Sequence, residues 1–154
     1  MTDTTAPRPY VPAFSSIYAT FDPIALPLLR LVMGLILMPH GCQKLFGWFG
    51  GMGFGKFADF FDKIGWYPAS FWLTLVALTE LVGGFMLAVG FLTRFAAAAI
   101  FIFMINAVWF TSGKGFFWTT GGLEYSLLIG MVALVFLIKG GGRFSIDHAL
   151  GREL

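Results

Sequence analysis

The chain has 154 residues, of which 58% are hydrophobic and only 12% charged, with 19 Phe and a formal net charge of +2. Soluble domains carry about 25% charged residues, so this composition excludes an ordinary water-soluble globule. The small charge, scattered over single Lys and Arg residues, excludes a nucleic-acid binder.

Residues 1–23 contain Pro7, Pro9 and Pro12 among Thr and Ser. They lack the charged stretch followed by an apolar one that a cleaved signal needs, so they read as a tail kept in the mature protein. Residues 24–138 then form a membrane domain, and 139–154 a C-terminal tail. Four apolar segments over 24–44, 68–92, 93–111 and 118–138 are each long enough to cross a bilayer as a helix. The predicted architecture is an all-α integral membrane four-helix bundle. Cys42 is the single cysteine, which rules out an internal disulfide and reads as small buried filler.

An even number of crossings puts both termini on one side, together with the turn at residues 90–94. Arg8, Arg94, Lys139, Arg143 and Arg152 fall on that side, against Lys44, Lys56, Lys63 and Lys114 on the other. The basic residues nearest helix ends make the terminal side cytoplasmic by the positive-inside rule.

Between the first two spans, Phe54, Phe57, Phe60, Phe61 and Ile64 recur at helical spacing while Lys56, Asp59, Asp62 and Lys63 occupy other faces. That pattern predicts an amphipathic helix lying in the headgroup plane. The glycines before it do not form GxGxxG and follow a span instead of a strand, so they do not cradle a nucleotide. Residues 113–122 add a second aromatic and glycine cluster, and the two clusters together are expected to cap the bundle.

Glu80 sits in the middle of the second apolar segment, where a charge is costly unless compensated. Counting 1.5 Å per residue places Arg30 roughly 6 Å from the middle of the first span on the terminal side, and His40 about 9 Å toward the other. Asn106 and Glu124 fall roughly 5 to 8 Å toward the same side as His40. Arg30 is therefore expected to pair with Glu80 as guanidinium with carboxylate. His40, Asn106 and Glu124 are expected to share a layer closed by the Tyr125 hydroxyl. Ala77, Glu80 and Gly84 share one helix face, where small residues let another helix approach. Such a network either handles protons, with His40 the natural titrating group, or simply fixes helix register. His148 lies in the tail, so His40 is the one histidine in the spans and a bis-histidine haem cannot form internally; no metal site is expected.

Leu29, Arg30 and Leu31 to Gly34, the run Pro39, His40, Gly41, Gln43, Lys44, Leu45, Phe46, Gly47, and then Glu80, Leu81, Gly83, Gly84 to Gly90, Thr93 and Arg94 form a pattern. With Gly121, Gly122, Glu124, Tyr125 and the closing 142–147 stretch, it closely resembles the DoxX family of small bacterial membrane proteins. The resemblance implies a four-helix bundle in the bacterial inner membrane and an association with quinone-linked redox complexes. It also implies peripheral or membrane redox partners, and it leaves homo-oligomerisation open. Motif positions that are also polar give the candidate network Arg30, His40, Gln43, Lys44, Glu80, Asn106, Glu124 and Tyr125, with His40, Glu124 and Tyr125 as quinone contacts. No flavin, haem or iron–sulfur motif is present, so electrons would come from a partner or from the substrate. Three functions follow as alternatives: a quinone-linked oxidoreductase subunit, a non-enzymatic assembly subunit, and a small proton or solute pathway.

Overall fold

The computed structural model describes residues 10–153, so the readings of Pro7, Arg8 and Pro9 lie outside the described residues. Every regular element among the described residues is helical. The longest, α1 (Ser15–Leu45), runs 31 residues, or about 46 Å. It begins at Ser15, within the stretch read from sequence as tail. Pro23, Pro27 and Pro39 lie inside it; each removes one backbone donor, a loss that membrane helices accommodate through neighbouring groups.

After a short turn, α2 (Gly53–Lys63) folds back onto the bundle. Its Phe61 is buried with Leu73, Ala69 and Val76, and Phe54, Phe57 and Ala58 pack around them. The aromatic periodicity read in the sequence thus serves helix-on-helix packing, with Lys56, Asp59 and Asp62 turned outward. The next rod is continuous from Ala69 to Val89, but it is built from α3 (Ala69–Leu78), a π-helical turn at Thr79–Gly83, and α4 (Gly84–Val89). Then follow α5 (Thr93–Ser112), α6 (Glu124–Lys139) and the single turn α7 (Ile146–Ala149).

Among the described residues three helical segments, Pro12–Leu45, Ala69–Val89 and Thr93–Ser112, are long and apolar enough to cross a membrane. α6 has 16 residues, about 24 Å, and is compatible with a fourth crossing. One core cluster draws on all four rods: Met33 and Leu37 from α1, Leu87 from α4, Ile100 from α5, and Ala133 and Phe136 from α6. Small residues let the first two rods approach backbone to backbone. A Cβ on Gly41 would lie 2.7 Å from the Leu81 nitrogen and 2.8 Å from the Ala77 carbonyl oxygen, separations a real side chain does not adopt. Ala77 and Gly84, predicted on one face with Glu80, are buried there beside it.

Candidate functional site

The packed seam between α1 and the second rod holds the charged centre of the protein. The Lys44 ammonium donates to both carboxylate oxygens of Glu80, at 2.8 and 2.6 Å. The side chains are 15% and 6% exposed respectively. Lys44 stands in the last turn of α1, and its four-carbon stem carries the ammonium back along the seam, inward instead of out to the interface. Glu80 belongs to the π-helical turn, a local widening often found at functional positions because it redirects the side chains it contains. Gly41, one turn before Lys44, supplies the close approach that brings the two backbones within reach. Phe57 of α2 lies over the ammonium with its ring centroid 5.6 Å away, so a cation–π contact adds to the ion pair at Lys44.

Arg30 does not pair with Glu80. Its guanidinium donates to the carbonyls of Gly141 and Phe144, the latter at 2.6 Å, and the residue is 3% exposed. The reason is depth: Arg30 packs at the Gly90 turn, whereas Glu80 lies ten residues, about 15 Å, further along its rod. Gly90 has a φ of +72°, and a Cβ there would strike both the Arg30 guanidinium and Ser145. Asp147 completes this end of the molecule. Its carboxylate accepts from the Leu92 and Thr93 amides at 2.7 and 2.8 Å and from the Thr93 hydroxyl at 2.7 Å. Its own amide donates to the Gly90 carbonyl at 2.9 Å. The C-terminal segment is thereby latched onto the N-terminus of α5 and the side of α1. In the sequence Asp147 is the last residue of the closing 142–147 stretch, and nothing in its local pattern announces this role.

The layer expected from depth counting is not assembled. Among the described residues no hydrogen bond joins any two of His40, Asn106 and Glu124. His40 lies against Tyr125, with ring centroids 6.2 Å apart. Glu124 instead accepts from the Trp118 amide at 3.1 Å, tying down the aromatic loop ahead of α6. Gln43 donates to the Phe49 carbonyl at 3.2 Å and braces the glycine-rich turn after α1. Asn106 is exposed, and one of its amide hydrogens goes to the Ile102 carbonyl of its own helix at 2.8 Å. The fourth rod starts only at Glu124, so this carboxylate stands at a helix end instead of inside a span, and Asn106 lies on an exposed face of α5. Cys42 is half-buried and free. No group of three or more His, Cys, Asp or Glu side chains suited to a metal ion occurs among the described residues.

A lateral groove of about 540 Å³ opens between the second rod and α5. It runs from Trp66 and Trp72 past Leu75 to Thr79 on one wall, with Asn106 and Ile102 on the other. Sequence reading gave no sign of it, since it exists only where two rods diverge beside the α2–α3 connection.

All-helical architecture, apolar rods and a charge pair enclosed between them define a small integral membrane protein. The chain belongs to the DoxX family, whose model matches residues 25–113. An uncharacterized membrane protein of Mycobacterium tuberculosis is 30% identical over 92% of this chain and 91% of its own length. An uncharacterized protein of Haemophilus influenzae is 30% identical, with 83% and 92% coverage. A Bacillus subtilis protein bearing the name "Putative oxidoreductase CatD" is 30% identical, with 76% and 79% coverage. No solved structure matches the chain.

Proposed function

We propose that this protein is the membrane subunit of a quinone-linked oxidoreductase or redox complex of the bacterial inner membrane, and that its Lys44–Glu80 pair carries protons coupled to electron transfer. The observation that carries this reading is the enclosed pair itself. Ionisable groups within membrane helices are costly and mark sites of proton or ligand handling. A proton shared between an amine and a carboxylate passes from one to the other without changing the charge of the site. Family membership and the oxidoreductase name of one relative support the redox setting. The chain crosses four times, with both termini in the cytoplasm; a reporter fused after Leu154 that is active only outside the cytoplasm would overturn that topology.

The test of function is electron transfer to quinone in the purified complex. Glu80→Gln keeps the shape and one acceptor oxygen for Lys44 while removing the charge, and is expected to lower quinone reduction about 100-fold, the scale of a lost proton-transfer group. Full electron transfer through Glu80→Gln and Lys44→Met in an intact complex would instead make the chain a structural or assembly subunit.

A further inference from the structure

We infer that the lateral groove between the Ala69–Val89 rod and α5 is the quinone seat, with the ring held at Trp66, Trp72 and Asn106 and the isoprenoid tail lying along Leu75 and Ile102 toward Thr79. The inference rests on the quinone-linked reading above and moves the ring away from His40. The groove's volume of about 540 Å³ falls within the range of about 300–1,000 Å³ common for small-molecule sites. It flanks two segments long and apolar enough to span a bilayer, so an occupant enters sideways from the lipid.

Its chemistry selects among bilayer amphiphiles. No charged residue lines it, whereas an anionic lipid headgroup is matched by Lys or Arg. A neutral, planar dicarbonyl ring is matched by aromatic faces and an amide donor. Trp66 and Trp72 stand edge to face with centroids 5.8 Å apart, and the Trp72 indole is fixed by its bond to the Tyr67 carbonyl at 3.1 Å. Asn106 spends one amide hydrogen on Ile102; its second N–H and its Oδ1 have no partner among the described residues and are available to a ligand. Along α5 from Ser112, Asn106 lies about 9 Å in and Ile102 about 15 Å in, so the amide is nearer the interface, and Ile102 and Leu75 line the groove between it and Thr79. That order matches a ring-and-tail molecule.

The experiment uses the full chain in phosphatidylcholine nanodiscs, titrated with a decyl-tailed benzoquinone while tryptophan fluorescence is recorded. Saturable quenching is expected. Trp66→Phe with Trp72→Phe should remove most of it, and Asn106→Leu should raise the Kd about tenfold, the worth of one hydrogen bond. Ile105→Phe, on the other side of α5, should leave the Kd as it is. Quenching that never saturates and is the same in every variant reports partition into lipid and overturns the seat. Saturable quenching that survives Asn106→Leu but is lost in His40→Phe places the ring at His40 and overturns the groove while sparing the quinone reading. Conversely, binding in the groove by a chain whose complex passes no electrons to quinone retains the seat and overturns the quinone-linked function.

Discussion

Lys44 and Glu80 meet across the seam of α1 and a π-helical turn, with the ammonium within 2.8 Å of both carboxylate oxygens. The two residues are 36 positions apart in the chain, and three local features bring them together. Gly41 lets the backbones approach, the π turn aims the carboxylate, and Phe57 of α2 covers the ammonium. Among the described residues neither charge has a second ion-pair partner.

Removing one partner strands the other. Lys44→Met and Glu80→Leu are each expected to destabilise the protein by about 3–5 kcal/mol, whereas the double replacement should recover most of that loss, because an apolar pair needs no neutralisation. Unfolding in mixed detergent micelles measures all three. Additive losses in the double variant would show that the two side chains do not depend on each other.

Gly41→Leu should push α1 away from the second rod, since even a Cβ at Gly41 meets the Ala77 carbonyl oxygen and the Leu81 nitrogen below 3 Å. Overpacking costs about 1–3 kcal/mol, and more where backbone opposes it. A cysteine pair introduced across the seam would report the displacement as slower crosslinking.

Asp147→Ala removes the acceptor for two amides and one hydroxyl at the start of α5. The residue is 5% exposed, so those donors lose their partner out of water, and a loss of about 3 kcal/mol is expected. The clearest readout is limited proteolysis, in which the segment after Lys139 should become cleavable before the rods unfold. Unchanged cleavage would mean the latch is held elsewhere.

Arg30→Lys keeps the charge but replaces a planar fork with a point donor. The guanidinium reaches the Gly141 and Phe144 carbonyls at once, a geometry an ammonium does not reproduce. The expected cost is about 1–3 kcal/mol, the price of a buried carbonyl left bare. Paired with Asp147→Ala, the effects should be less than additive, because both residues hold the same segment.

The hydropathy of the chain by itself determined that it is helical and built for lipid, since backbone in hydrocarbon must satisfy its own hydrogen bonds. Sequence also marked Glu80 as the costly charge and put Ala77, Glu80 and Gly84 on one face, because periodicity along a helix is local. Partner choice was not local. Depth counting points to Arg30 as the partner of Glu80, and only the packed register, with Arg30 at the Gly90 turn and Lys44 beside the π turn, assigns the pair to Lys44. Depth counting puts His40, Asn106 and Glu124 on one level, yet the fourth rod starts only at Glu124, whose carboxylate accepts from the Trp118 amide of the preceding loop, and the face of α5 that bears Asn106 turns to the groove. The π turn, the Asp147 latch and the groove itself arise from how rods meet, which no single stretch of residues encodes.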